Sequence, residues 1–546
     1  EQFLTEADAE HDAQSPATGV FAWIGTAIDS VSARYERMLG GALHHPRLMI
    51  GAALVLVALG GGAYFLVGTG FLPDMDEGAF ILDYWSPGRP SLVETDRQLH
   101  TIEGILAATP EITGTSRRLG AELGLFATEQ NRGDMSIRLK PESERDRDIF
   151  KIMDDVRGKV AAAVPRFRVE FHQILSDVLG DAEGNPEPVE IKLFGADLNA
   201  LEQYASAIAP KIGKIDGLDD FFGGIAEPAA EMEMKVRGAE AARLGLTTGQ
   251  VSAEVSGALL GVPAGEIRLD DRSIGVRVRA PDSVRFNDQR LGVLPIFSAQ
   301  THQSAPLGTL ASFTKSDVLG EHLRENQQQM LHLTASVTDR PLNAVIGEIK
   351  AILAANPAPE GIRIEIGGLY ASQKQAFAAL LLVLALASVS VTAVMVIQFR
   401  SFVEPLTVLL AAPLSFVGAL ALLLVTGTAL NVSSFMGLIL LVGLIVKNGI
   451  ILLDFTNHRM KSGGVDLETG IREAARVRLR PILMTTLCTL FGLLPLALGL
   501  GAGSEMQKPL ALAVIGGLAL STPITLFVVP VLLVAIRGRS YRMEPT

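Results

Sequence analysis

Six stretches of the chain are apolar almost without interruption, at about residues 48–70, 376–399, 402–426, 433–456, 481–500 and 509–536. Each approaches the roughly 20 residues an α-helix needs to cross the hydrocarbon of a bilayer, so the pattern predicts six transmembrane helices. Between the first and second runs the pattern turns polar for some three hundred residues. That is far too long for a loop and predicts folded domains outside the membrane. Within it, residues 79–85 read as a strand, 91–108 as a helix, 134–139 as a strand, 148–163 as a helix and 167–171 as a strand. The order begins again with a strand at 188–194, a helix near 198–214, strands near 221–236 and a helix near 239–258. After an insert of about seventy residues come a strand at 331–337, a helix at 341–354 and a strand at 362–366. Two open α+β sandwiches, each with helices on one face of a sheet, fit this order.

Positive charge near the ends of the apolar runs sets the orientation. Arg34, Arg37 and Arg47 precede the first run and Arg400 follows the second. Arg459, Lys461, Arg472, Arg476, Arg478 and Arg480 fill the expected link between the fourth and fifth, and Arg537, Arg539 and Arg542 follow the sixth. The opposite short loops, around 427–432 and 501–508, carry only Lys508. Both ends are therefore expected on the cytoplasmic side and the large polar region across the membrane. Ahead of the first run, Phe21, Ile24, Ile28, Val31, Tyr35 and Met38 recur at helical spacing, as expected of a helix lying in the membrane interface. A stripe of this kind packs equally well on another domain.

Composition adds exclusions. With 48% hydrophobic and 19% charged residues, the chain is too apolar for an ordinary soluble protein. The net charge of −12 belongs mostly to the polar region and gives no nucleic-acid footprint. The single cysteine, Cys488, falls inside an apolar run, so the chain holds neither a disulfide framework nor a cysteine metal site. No G-x-x-x-x-G-K loop, G-x-S-x-G elbow or H-E-x-x-H pair occurs, so neither an enzyme nor a nucleotide-driven machine is expected. The start, Glu1-Gln2-Phe3, has no initiator methionine or signal pattern, which points to a fragment, a processed chain or a split gene product.

One ionisable residue stands near the middle of an apolar run. Lys447 lies in Gly443-Leu444-Ile445-Val446-Lys447-Asn448-Gly449. A charge at the bilayer centre costs about 2.5–3.5 kcal/mol on insertion scales and marks a functional position by default. Asp454 sits two turns away on the same helix, near its cytoplasmic end, and is not a convincing partner. The carboxylate that meets Lys447 must come from elsewhere; a fixed ion pair of purely structural purpose is the alternative. Arg478 and Arg480 open the fifth run, with Thr485 two turns inside it from Arg478. The arginines also fit simple positive-inside anchoring, and the threonine a hydroxyl bonding back to its own helix.

At these residues a resemblance emerges. Phe71-Leu72-Pro73-Asp74-Met75-Asp76-Glu77-Gly78, Val446-Lys447-Asn448-Gly449-Ile450, Arg478-Leu479-Arg480-Pro481-Ile482-Leu483-Met484-Thr485 and Gly501-Ala502-Gly503-Ser504-Glu505 occur in the order found in one family. Over essentially its whole length the chain resembles the carboxy-terminal half of resistance-nodulation-division efflux permeases. The resemblance implies an α-helical membrane protein of six transmembrane helices with a large α+β periplasmic region. Residues 1–47 would be a cytoplasmic tail and interfacial amphipathic helix, and 48–72 the first transmembrane helix. Residues 73–187 would form a first porter subdomain, 188–372 a second one with a docking insert at about 259–330, and 375–540 a five-helix transmembrane region. It further implies a proton relay of Lys447, Arg478 and Thr485 supported by Asn448, with the relay aspartates on a first half of the permease. A homotrimer in the bacterial inner membrane, a periplasmic adaptor and an outer-membrane channel complete the implied assembly, with no cofactor.

The resemblance divides over substrate. The Gly501 segment is similar to a heavy-metal branch, and Lys447-Asn448 to a drug and lipophile branch. The stretches that carry channel methionines in copper and silver pumps read His172-Gln173-Ile174-Leu175 and Ala242-Arg243-Leu244-Gly245-Leu246, without methionine. Monovalent copper favours soft thioether ligands. Met232 and Met234, two apart, read as strand packing rather than a metal clamp, and no metal site is expected. The expectation is therefore proton antiport of amphiphilic organic compounds, with heavy-metal cation efflux as the alternative. A protein-translocation accessory of the same superfamily is the more distant rival.

Overall fold

The computed structural model describes residues 20–541, apart from 74, 89, 122–128, 184–186, 226–227, 319–321, 339, 502 and 540. The chain start, Asp74, Ala502 and Arg542 lie outside the described residues, as do the side chains of Phe21, Ile24 and Ile28. Helix α1 (Val20–His44) leads into α2 (Pro46–Leu66). The first α/β unit runs β1 (Ala79–Trp85), α3 (Leu92–Ala107), β2 (Ile112–Arg117), β3 (Arg132–Leu139), α4 (Ile149–Ala163), β4 (Arg168–Gln173) and α5 (Ile174–Glu183). The second runs β5 (Val189–Phe194), α6 (Leu198–Ile212), β6 (Leu218–Phe222), β7 (Ala229–Val236), α7 (Gly238–Arg243) and α8 (Thr248–Leu260). It continues through the hairpin β8 (Val262–Arg268) and β9 (Ser273–Val278), then β10 (Ala311–Val318), β11 (Gln328–Val337), α9 (Leu342–Ala355) and β12 (Arg363–Gly367). The chain closes with α10 (Leu369–Phe399), α11 (Val403–Val425), α12 (Val432–Gly463), α13 (Leu467–Ala497) and α14 (Lys508–Arg537). Helices α2 and α10 to α14 are the six described helices long and apolar enough to cross a membrane.

Those six are not equivalent. In α14, 61% of the apolar window is buried within the chain, against 6% for α2 and for α10. Helix α14 is thus the bundle's axis, and glycines let its neighbours approach. Gly418 of α11 and Gly516 of α14 face each other so closely that a Cβ on either would collide with the other's carbonyl oxygen. Such small-residue crossings replace the hydrophobic driving force that lipid cannot supply. A Cβ on Gly449 of α12 would stand 2.6 Å from Val408 Cγ1. Towards its carboxy-terminal end α14 loosens into a π turn over Ile524–Val528. Pro530 has no N–H to give the Leu526 carbonyl, and the Tyr35 hydroxyl of α1 donates to that carbonyl at 2.8 Å. Arg537 completes this end by pairing with Glu404 at 2.7 Å.

The first sheet is antiparallel in the order β2-β3-β1-β4, and α3 and α4 cover one face. Alternation in β1 sends Phe80, Leu82 and Tyr84 into that core and Ile81, Asp83 and Trp85 to the other face. The second sheet places β11 between β6 and β5, with β12 on the far side of β5, and α6 and α9 pack over it. Strands β7 and β10 pair separately, and the β8–β9 hairpin is exposed along almost its full length.

Several expectations shift. The helix near 239–258 is two helices, because the chain turns at Gly245 with φ +69° and restarts at a Thr247–Gln250 capping box. Strand β2 (Ile112–Arg117) and helix α5 are elements that the hydrophobic pattern does not predict. The fifth apolar helix begins at Leu467 rather than near 481, so Arg472, Arg476, Arg478 and Arg480 lie inside it and the link to α12 is only 464–466. The buried stripe of α1 is Tyr35, Leu39 and Leu43, packed on the helical bundle, while Val31 and Met38 are exposed.

Gly418→Val should force α11 from α14 and cost about 1–3 kcal/mol by overpacking. Gly492→Ala, which meets nothing within 4 Å, should be near neutral. Thermal unfolding of the two purified variants in detergent checks this; equal midpoints would remove the glycine crossing as the bundle's close contact.

Candidate functional site

Helix α12 presents two unlike faces. Leu441, Val442, Ile445, Val446, Asn448 and Leu452 are buried in the bundle. Met436, Leu440, Gly443, Lys447 and Asp454, spaced by three, four or seven, form an exposed stripe. Lys447 is on the open side, and among the described residues no carboxylate pairs with it. Asp454 follows seven residues later, about 10 Å along the axis at 1.5 Å per residue, and does not reach it. Asn448, one position round the helix, faces inward and is buried.

Arg478 and Thr485 are seven residues apart and so share one face of α13. The Arg478 guanidinium lies over the Phe455 ring of α12, 4.8 Å from its centroid, and its buried Nε has no hydrogen-bond partner among the described residues. The Thr485 hydroxyl donates to the Ile482 carbonyl of its own helix at 3.0 Å, the local bond that the residue type permits anywhere. Among the described residues no hydrogen bond or ion pair joins Lys447, Arg478 and Thr485. Arg480 is exposed.

A second concentration of charge lies where the two α/β units meet. Arg157 of α4 grips Asp220 of β6 with two bonds, Nε to Oδ1 at 2.8 Å and Nη2 to Oδ2 at 3.0 Å, and packs over Phe171. Burial raises the Asp220 carboxyl above its ordinary range, although Arg157 works against the rise. On the outer face of β4, Arg168, Glu170 and His172 alternate with the core residues Val169 and Phe171, and Asp83 stands opposite Glu170 across the β1 pairing. Helix α5 packs against β1 and β4, and Glu187 enters from the link to the second unit. Glu170, His172 and Glu187 are all buried, and one donor atom from each lies within 4.8 Å of the others. Burial and the neighbouring Glu170 push the Glu187 carboxyl well above the usual carboxylate range. Burial also works to raise Glu170, but Arg168 and His172 outweigh it and hold Glu170 below that range. Sequence reasoning passed over this cluster. The alternation of Glu170 and His172 was visible, but Glu187 comes from a separate stretch that only the folded chain brings near.

The family model described as the AcrB/AcrD/AcrF family matches residues 3–537. The chain belongs to that family. Its members are permeases of the resistance-nodulation-division type, secondary transporters rather than enzymes. Among similar proteins are the nickel-cobalt-cadmium resistance protein NccA of Alcaligenes xylosoxydans xylosoxydans, 30% identical over 94% of this chain and 48% of that protein. The nickel and cobalt resistance protein CnrA of Cupriavidus metallidurans is 30% identical over 91% of this chain and 47% of its own length. A crystal structure of a heavy metal efflux pump superposes with a TM-score of 0.82 at 26% identity, covering 94% of this chain and 53% of that one. The chain thus spans about half the length of the relatives it matches.

These likenesses overturn the expected preference for amphiphilic organic compounds. The relatives of this permease-family chain are named for nickel, cobalt and cadmium. The absence of methionine at the two stretches argued only against a soft ligand set. Nickel, cobalt and zinc are served by imidazole and carboxylate, which methionine counting does not see.

Arg157→Ala would strand the buried Asp220 carboxylate and should cost about 3–5 kcal/mol. Adding Asp220→Asn should return part of the loss. The thermal midpoint of each purified variant reports it, and a single variant as stable as the parent would show that the pair does not hold the two units together.

Proposed function

We propose that this chain is the second half of a proton-driven permease that exports divalent heavy-metal cations from the bacterial inner membrane. The observation that carries the reading is the exposed stripe of α12. Lys447 sits on an apolar helix face that this chain does not cover, and its relatives are about twice as long. An ammonium there needs an opposing carboxylate, and a first half, on the same or another chain, would supply it. Lys447 would exchange partners as protons pass. Arg478 and Thr485, on one face of the adjoining helix, would serve as further relay stations, with Asn448 fixing the register of α12. The single hydrogen bond from Thr485 to its own helix leaves its hydroxyl oxygen free to accept when the helices shift.

In this reading the six apolar helices span the membrane, both ends are cytoplasmic and the α/β region is periplasmic. Residues 73–187 and 188–372 act as porter subdomains, and the segment 259–330 with its exposed hairpin docks neighbouring subunits of a homotrimer. A periplasmic adaptor and an outer-membrane channel would continue the path. Nickel, cobalt and cadmium named for the relatives, together with imidazole and carboxylate groups at the junction, favour cations of that class as substrate.

In cells expressing this chain together with a first half, Lys447→Ala should abolish resistance to nickel and cobalt while the protein still inserts. Growth on graded metal and membrane quantification give the answer, and full resistance with normal insertion would refute the relay. Dissipating the proton gradient with ATP maintained should raise accumulated metal to the level of cells lacking the protein. Export that persists under the uncoupler and stops on ATP depletion would contradict proton drive.

A further inference from the structure

We infer that Glu505 and Glu77 are positioning residues for transport: with Asp76 they make the segment 67–78, between α2 and β1, a strap that carries movement of α12 to the starts of α4 and α5. Two motifs of the sequence, at 71–78 and 501–505, take no part in the relay or in the charge cluster between the α/β units. The fold brings them together. The Asp76 amide donates to Glu505 Oε2 at 2.9 Å across 429 positions of sequence.

On the bundle side the strap is bonded along its length. The Gly70 amide donates to the Leu430 carbonyl at 3.1 Å and the Leu430 amide to the Gly68 carbonyl at 2.7 Å, which pairs the strap with the loop between α11 and α12. The Val432 amide, at the first residue of α12, donates to the Phe71 carbonyl at 3.3 Å. Ser433 Oγ donates to the Met506 carbonyl at 2.6 Å, so the start of α12 also grips the loop that presents Glu505. Within that loop the Ser504 hydroxyl donates to the Gly501 carbonyl at 2.7 Å and holds the turn. Lys447 lies fifteen residues beyond Val432, about 22 Å along the same helix. An axial shift or turn of α12 as Lys447 exchanges partners is therefore delivered to the strap.

On the other side the strap ends in two consecutive carboxylates, each at the start of a different helix. Asp76 accepts from Arg145 Nη2 at 2.7 Å and Nη1 at 3.0 Å, and from the Ile149 amide that opens α4 at 3.0 Å. Both side chains of that pair are almost fully buried, so opening it would strand charge, and the strap moves with α4 as one piece. Glu77 accepts from the Leu175 amide with both oxygens, at 3.2 and 3.1 Å, in the first turn of α5. Helix α5 packs against β1 and β4, and α4 carries Arg157, whose partner Asp220 belongs to the second α/β unit. One strap thus reaches both the sheet of the first unit and its contact with the second. The link rests on this geometry; its use in transport rests on the proton-relay reading.

Hydrogen exchange of the purified full chain in detergent tests the link apart from transport. Glu505→Ala should speed exchange at the Ile149 and Leu175 amides at least tenfold and leave Val156, in the middle of α4, unchanged. Glu505→Gln, whose amide oxygen still accepts from Asp76, should restore the parental rates. Unchanged exchange at both helix starts, or a rise spread evenly over α4, overturns the strap. The role in transport is read in liposomes holding this chain and a matching first half, with zinc as cargo and an imposed pH gradient. Glu505→Ala should keep proton movement and lower the zinc moved per proton at least tenfold, whereas Lys447→Ala should stop both. Parental coupling in Glu505→Ala, or equal loss of both fluxes, overturns the positioning role. If Glu505→Ala does not insert, Glu77→Ala takes its place, with faster exchange expected at Leu175 and not at Ile149. No proton movement by the parental pair would sink the relay reading, and the exchange rates would then decide the strap alone.

Discussion

A charge removed from water has to be met by another charge, and both unusual regions of this chain follow from that constraint. In the α/β junction the chain meets it internally: Arg157 answers Asp220 and Arg168 answers Glu170. On helix α12 it does not, and Lys447 lies open on an apolar face with no carboxylate among the described residues. A charged lysine on a lipid-facing surface would cost the span stability. The exposed stripe is therefore best understood as half of an interface, and the rest of the bundle is arranged to present it.

That arrangement depends on close packing elsewhere. The glycine contact between α11 and α14 and the approach of Gly449 to Val408 draw the buried side of α12 against its neighbours. This fixes the rotation of α12 about its axis, and with it the direction in which Lys447 faces. Asn448, a single residue further on, is buried for the same reason. Coupling between membrane and α/β region has a physical route as well. Asp76, in the short segment after α2, pairs with Arg145 at 2.7 Å with both side chains almost fully buried. It also accepts from the Ile149 amide at 3.0 Å, tying that segment to the start of α4. Helix α4 carries Arg157, so displacement of α2 would be felt where the two α/β units meet.

Much of this was legible in the sequence. Uninterrupted apolar runs have few interpretations, and the strands with clear alternation, such as β1 and β3, stood out from their neighbours. What escaped has several physical causes, and dependence on distant contacts is the first. Strand β2, Ile-Thr-Gly-Thr-Ser-Arg, has little apolar content and is a strand because β3 pairs with it. The arginines of α13 masked its start, since hydropathy marks the part of a helix in lipid and not its extension into water. Lys447 was recognisable by its cost, but the face it occupies was not, because a uniformly apolar helix gives no amphipathic signal. The substrate expectation failed by equating a missing sulfur ligand with a missing metal ligand. The names of the relatives overturn it, and the buried imidazole and carboxylates of His172, Glu170 and Glu187 meet only after folding.

The central claim is that Lys447 is functional only opposite a carboxylate from a first half of the permease. Purified protein in liposomes, loaded with zinc and given an imposed pH gradient, tests it most directly, with zinc movement and internal pH recorded together. The account predicts coupled zinc and proton movement when this chain is reconstituted with a matching first half, and none with residues 1–546 alone. Coupled transport by residues 1–546 alone would contradict it.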